Sequence, residues 1–221
     1  MSEGGVESLY PFLYAGAGDV GAVLAEVARS TAEKTEEIVA LRETVLERMG
    51  DRLAACAEAM ARSFASGGKL LSFGNGGSST DAQDVARQFL SPASGGRPLA
   101  ALSLTADIAV VTALSNDIGF EVVFARQIAA FGRRGDVAMG LSTSGGSENL
   151  IRAFGEASRR GLLTVGMAGY EGGKMAEVDT IDHLFVVPSS SVHRIQEAQT
   201  TVYHVLWELT QGSLEQMGAS A

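Results

Sequence analysis

Apolar residues recur along this chain with two different spacings. Val20, Val23, Leu24, Val27 and Thr31 keep helical spacing behind Asp19, a residue type that caps helices, and Ile38, Leu41, Val45 and Met49 continue the stripe. Leu53, Met60 and Phe64 carry it into a second helical stretch, which stops at Gly67 and Gly68. Such a stripe packs either against its own domain or against another subunit, and some fifty helical residues exceed what one small sheet needs as cover. From residue 69 the texture changes to short apolar runs, KLLSF, LAALSL, DVAMGLS, LLTVGMA and HLFVVP. Helical patterns lie between them at about 79–90, 106–114, 120–132, 147–159 and 173–178, and a last helix closes the chain from about 194 to 213. This alternation predicts an α/β fold, a three-layer sandwich with a five-stranded parallel sheet flanked by helices, preceded by a long N-terminal helical arm.

Ligands of such sheets bind beyond the carboxyl ends of the strands. Two loops rich in glycine and hydroxyls fall at that edge. In FGNGGSSTDAQ, residues 73–83, Gly74, Gly76 and Gly77 let a ligand approach the main chain, and Ser78, Ser79 and Thr80 sit where a helix begins. In LSTSGGSEN, residues 141–149, Ser142, Thr143, Ser144 and Ser147 surround Gly145 and Gly146. Neither loop is a Walker loop or a dinucleotide fingerprint, because GxxxxGK[ST] and GxGxxG are both absent from them. Serine and threonine are common helix caps, and one such loop would pass for capping. Two at one sheet edge point instead to a phosphate monoester, gripped by hydroxyls and helix N-termini.

The charge balance narrows the partners. A formal net charge of −9 over 221 residues argues against a nucleic-acid surface. A single cysteine, Cys56, excludes an intrachain disulfide framework and suits a reducing compartment. The N-terminal segment lacks the basic region and continuous apolar core of a signal peptide, and no run is long enough to span a membrane. The expectation is a cytoplasmic protein.

The segments FGNGGSSTDAQ, LSNDIGFEVVFARQ, GDVAMGLSTSGGSENLIRAF and RIQEAQTTVYHVLWEL together resemble the sugar isomerase (SIS) domain proteins, specifically the phosphoheptose isomerases, over residues 35–212. On that resemblance the chain divides into a lead-in over 1–18, N-terminal helices over 19–66 acting as an oligomerisation arm, the SIS domain over 67–214 and a tail over 215–221. The resemblance implies a homotetramer with sites built between subunits, and conversion of sedoheptulose 7-phosphate to an aldose phosphate. It implies phosphate binding by Ser78, Ser142, Thr143, Ser144 and Ser147, and contact with the sugar by Asn75, Gly76, Gly77, Asp117 and Gln196. It implies that His204 carries protons and, with Gln196 and the residue at position 84, holds a metal, zinc by preference.

The resemblance fails at two positions. The family pattern has a histidine at 84 and a general-base glutamate at 88, where this chain has Asp84 and Gln88. An enediol isomerisation needs a group that takes a proton from one carbon and returns it to the next, which glutamine cannot do. Asp84, one helical turn away, can serve as a base or as an oxygen ligand, so Asp84 and His204 are the catalytic candidates. His183 and His193 are weaker candidates for a lost ligand. Gln196 and His204, eight residues apart, lie ~12 Å apart along a straight helix, too far for one ion to be held by both in the same chain unless the helix starts late or a neighbouring subunit supplies one of them. Two functions follow: a phosphosugar isomerase with an altered acid-base set, or a non-catalytic phosphosugar-binding protein similar to the SIS-fold protein that associates with the bacterial replication initiator.

Overall fold

In the computed structural model, residues 20–92 and 95–219 are described. The capping role expected of Asp19 and the lead-in over 1–18 lie outside the described residues. Chain contacts divide into two units, Met1–Ala40 and Leu41–Ala221. Helix α1, Val20–Ala65, belongs to both as one continuous helix of 46 residues, not the two stretches expected. In the first unit it is sustained by pairs one turn apart. Arg29 bridges Glu26 at 2.6 Å and Glu33 at 2.5 Å, and Lys34 donates to the Ser30 hydroxyl at 2.6 Å. Val23, Leu24, Val27 and Val39 are exposed there. Further along, Val45, Met49, Leu53, Cys56, Met60 and Phe64 are buried, so only this later part of the stripe packs within its own unit.

The second unit is built on a five-stranded parallel sheet: β1 Leu70–Gly74, β2 Ala101–Ser103, β3 Val137–Leu141, β4 Leu163–Gly169 and β5 His183–Val187. The strands are ordered β2-β1-β3-β4-β5, so the chain leaves β1 for one side and returns on the other. That reversal places a topological switch point between β1 and β3, where Gly74 pairs with Leu141. The connecting helices are α2 Gly77–Leu90, α3 Ile108–Asp117, α4 Val123–Phe131, α5 Glu148–Arg160 and α6 Val192–Ala219.

Alternation along each strand feeds two cores. Leu71, Phe73 and Ala138 turn toward α4 and α5, where Phe73 meets Phe124 and Phe154 at 5.5 and 5.3 Å between ring centroids. Leu70 and Ser72 turn the other way, and the Ser72 hydroxyl donates to the carbonyl of Ala82 on α2 at 2.6 Å. The segment expected as a helix over 120–132 divides at Val122 into a 3-10 turn, Phe120–Val122, which Gly119 opens at φ 145°, and α4. The expected helix at 173–178 is a 3-10 turn, Gly173–Ala176. The last helix is longer than expected and absorbs residues 215–219, so the tail begins later than position 215.

Candidate active site

The first loop connects β1 to α2 and presents the start of that helix at the switch point. Gly76, at φ 55°, is the N-cap of α2 and makes no side-chain cap hydrogen bond. The Ser79 hydroxyl donates to the Gly76 carbonyl at 2.7 Å, which commits it to the turn. Ser78 is buried. Gly77 lies directly under the side-chain amide of Gln196 on α6, and any Cβ at 77 would overlap that amide. A side chain at 77 would therefore displace the Gln196 amide from the loop.

The second loop follows β3, the neighbouring strand. The backbone N–H of Gly145 donates to the Ser142 hydroxyl at 3.0 Å, and that of Gly146 to the Ser144 hydroxyl at 3.3 Å. Ser147 is the N-cap of α5 but makes no side-chain cap hydrogen bond, so the capping explanation of its hydroxyl does not hold. The loop is anchored by Gly169 N–H donating to the Thr143 carbonyl at 2.9 Å.

Two side-chain ties that the sequence did not reveal fix the loops. Asn75 and Asn149 exchange reciprocal amide hydrogen bonds, each of 2.9 Å, so the two hydroxyl loops are clamped together across the switch point. The amide of Asn75, expected to face the sugar, is engaged in this clamp. Gln199 of α6, 1% exposed, donates to the Ser142 carbonyl at 3.0 Å, while its own Oε1 is buried without a partner.

The candidate acid-base groups lie where α2 meets α6. Asp84 Oδ1 accepts from Arg87 at 2.6 and 3.0 Å, and Oδ2 accepts from the Tyr203 hydroxyl at 3.0 Å. His204 Nε2 stands 3.6 Å from the same Oδ2, within ion-pair reach but longer than a formed hydrogen bond. Burial pushes the Asp84 carboxyl up, but the hydrogen bonds from Arg87 and Tyr203, the Arg87 charge and the nearby His204 imidazole outweigh it and hold the group below the usual carboxylate range. Burial pushes the Tyr203 phenol well above its ordinary value, with the Asp84 charge adding to it. Asp81, one turn before Asp84, moves the opposite way: burial raises it against the Gln196 amide at 3.4 Å, and the Asp84 charge adds to the rise. Two carboxylates on one helix face thus differ in proton affinity, the pattern that separates acid from base in many sites.

Other candidates stay apart. Asp117, at the end of α3, is exposed and accepts from Asn116 at 2.9 Å. His183 opens β5 and so lies at the edge of the sheet opposite the two loops; burial lowers its imidazole pKa in spite of Asp182. His193 falls inside α6, not ahead of it, and is exposed.

The metal expectation meets a poor donor set. Gln196 and His204 both lie within α6, which begins at Val192, so the late helix start that would have brought them together does not occur. No group of three or more His, Cys, Asp or Glu suited to an ion exists among the described residues. Asp84 and His204 supply two ligands where catalytic zinc takes three, and Arg87 already neutralises the carboxylate. These residues do not fit a resident zinc.

The sequence was also compared with known proteins. The SIS domain family model matches residues 35–169. This chain belongs to the SIS-domain family. Within that family, the chain is 42% identical over 183 residues to a phosphoheptose isomerase of Roseiflexus sp. (strain RS-1), covering 82% of this chain and 92% of the relative. It is 39% identical over 186 residues to that of Thermodesulfovibrio yellowstonii, covering 84% and 92%. Among solved structures, the phosphoheptose isomerase of Neisseria gonorrhoeae superposes with a TM-score of 0.77 at 34% identity, over 84% of this chain and 99% of that one. The enzyme from Francisella tularensis gives 0.78 at 30% identity, over 84% and 98%. The five-stranded parallel SIS fold is therefore shared with those phosphoheptose isomerases, while the hydroxyl loops and the Asp84–Arg87–Tyr203 arrangement are read from this chain's own residues.

Proposed function

We propose that this chain interconverts a ketose phosphate and its aldose, with sedoheptulose 7-phosphate as the substrate. The observation that carries this reading is the clamped pair of hydroxyl loops at the switch point, with a carboxylate–imidazole pair on the two helices that hold those loops. The phosphate binds Ser78, Ser142, Thr143, Ser144 and Ser147 at the starts of α2 and α5. Gly76, Gly77 and Gln196 border the sugar chain.

The proton chemistry follows from the partners of each group. With Arg87 and Tyr203 on its two oxygens, Asp84 is a weak base and an effective fixed anion. His204 is then the proton carrier, and Asp84 stabilises the imidazolium formed when His204 takes a proton from C1 of the ketose. The carbonyl oxygen at C2 gains a proton to give the enediol. His204 returns the carbon-bound proton to C2 as the hydroxyl at C1 loses its own, and the aldose results. Asp81, with its raised proton affinity, is suited to the oxygen-bound proton.

Sugar phosphates are expected partners; no described helix is long and apolar enough to cross a membrane. The exposed apolar residues of α1 suit a self-association surface, and a homotetramer is the assembly we propose. Gln88, in place of the family glutamate, is the observation that favours phosphosugar binding without turnover. Incubation with sedoheptulose 7-phosphate decides between the two readings. Aldose 7-phosphate should accumulate with the wild type and fail to do so with His204→Gln. Binding without turnover by the wild type would leave the non-catalytic reading.

A further inference from the structure

Tyr203 lies in α6 immediately before the candidate proton carrier, is 2% exposed, and yet carries a hydroxyl that a buried aromatic position does not require. Its single short hydrogen bond, 3.0 Å, goes to Asp84 Oδ2. That is the oxygen facing His204 Nε2 at 3.6 Å. The Thr200 hydroxyl, one turn earlier on α6, is the phenol's other neighbour at 3.5 Å. On the far side, Arg87 occupies Oδ1 through two of its nitrogens. Asp84 is consequently held at both oxygens, with Oδ2 placed beside the imidazole.

The rings of Tyr203 and His204 are edge-on, 5.0 Å between centroids, so the phenol also limits the rotation of the imidazole. His204 Nε2 is itself buried without a hydrogen-bond partner, although 44% of the side chain is open to solvent. A buried ring nitrogen facing a fixed carboxylate favours the tautomer with its proton on that nitrogen. The other nitrogen, Nδ1, then has the lone pair that accepts a proton.

We infer that Tyr203 is a positioning residue: through its hydrogen bond to Asp84 it holds the carboxylate that selects the Nε2–H tautomer of His204. Its role rests on the reading of His204 as the proton carrier, but its structural effect can be measured without turnover. Neither Tyr203 nor Arg87 need touch the sugar; they act through Asp84, which does for the imidazole what the buried carboxylate does in hydrolase triads.

The test is Tyr203→Phe, which keeps the buried ring and removes only the hydroxyl. Imidazole nitrogen chemical shifts of ¹⁵N-histidine-labelled protein report the tautomer at alkaline pH, and His204→Gln assigns the signal among the three histidines. The wild type is expected to show His204 mainly as Nε2–H. Tyr203→Phe and Asp84→Asn should each move it toward a mixture, and the double variant should go no further than Asp84→Asn alone. In the isomerase assay, Tyr203→Phe should lower kcat by about 10- to 100-fold with KM little changed, as expected for a lost hydrogen bond to a charged group. If phenylalanine does not yield folded protein, 3-fluorotyrosine at 203, a stronger donor, should move the His204 nitrogen shifts in the opposite direction. Unchanged nitrogen shifts in the folded variants would overturn the inference, whatever the activity. Altered shifts in the variants of a protein whose wild type never turns over would support the positioning and count against the isomerase reading instead.

Discussion

Removing either amide of the Asn75–Asn149 clamp tests whether the two hydroxyl loops form one site. Each of the two hydrogen bonds is 2.9 Å long, and Asn149 is 3% exposed. A hydrogen bond of this kind contributes roughly 0.5–1.5 kcal/mol net, so the pair is worth about 1–3 kcal/mol. Asn75→Ala also leaves the buried Asn149 amide without its partner, which adds on the order of 1–3 kcal/mol. The double variant leaves no orphan and should be no less stable than Asn75→Ala. Urea denaturation at fixed protomer concentration would measure the cycle, with an expected coupling of about 1–3 kcal/mol between the two positions. Both single variants should weaken sugar-phosphate binding by similar factors, because each separates the loops. Additive losses within a few tenths of a kcal/mol, or a binding defect confined to Asn75→Ala, would refute the clamp and return Asn75 to direct contact with the sugar.

Substituting Ser144 and Ser147 together with alanine should abolish the excess thermal stabilisation by sedoheptulose 7-phosphate over free sedoheptulose, each lost hydrogen bond to the anion costing roughly 1.5–3 kcal/mol. Asp81 and Asp84 should respond to pH with opposite sign. The raised pKa of Asp81 means that the folded chain binds the extra proton, so its contribution weakens as pH rises through the carboxylate range, and Asp81→Asn should raise Tm at pH 7. The depressed pKa of Asp84 gives stability that is present at neutral pH and lost as pH falls below its unfolded value, so Asp84→Asn should lower Tm at pH 7 and make little difference in acid. Light scattering at micromolar concentration should give a mass of several times 23.0 kDa; a monomer would remove the role assigned to the exposed stripe of α1.

The sheet was legible because each strand is a buried apolar run bounded by turn residues. The runs KLLSF and DVAMGLS fall on β1 and β3, whose positions are all buried. LAALSL overstates β2, because an edge strand pairs on one side only, over Ala101–Ser103. The extent of α1 was partly hidden, since an amphipathic stripe reads the same whether its apolar face meets the sheet or solvent; burial begins at Val45. The hydroxyl loops could be seen in local composition. Their fastenings could not, because Asn75–Asn149 and Gln199–Ser142 join positions 74 and 57 residues apart. A local signal did exist on α6: Gln196, Gln199, Thr200, Tyr203 and His204 form a polar stripe at helical spacing along a helix that also buries Ile195, Val202 and Leu206. Reading Asp84 as the base overlooked Arg87, three residues on, which lowers its basicity.

Proton transfer at carbon is the central claim, and solvent deuterium exchange reads it most directly. Sedoheptulose 7-phosphate incubated with the wild-type protein in D₂O should acquire deuterium at C1, and the aldose phosphate product should carry it at C2. His204→Gln should abolish both while leaving phosphate binding intact. Absence of exchange and of turnover with the folded wild type, including when zinc, manganese or nickel is supplied, would contradict the account.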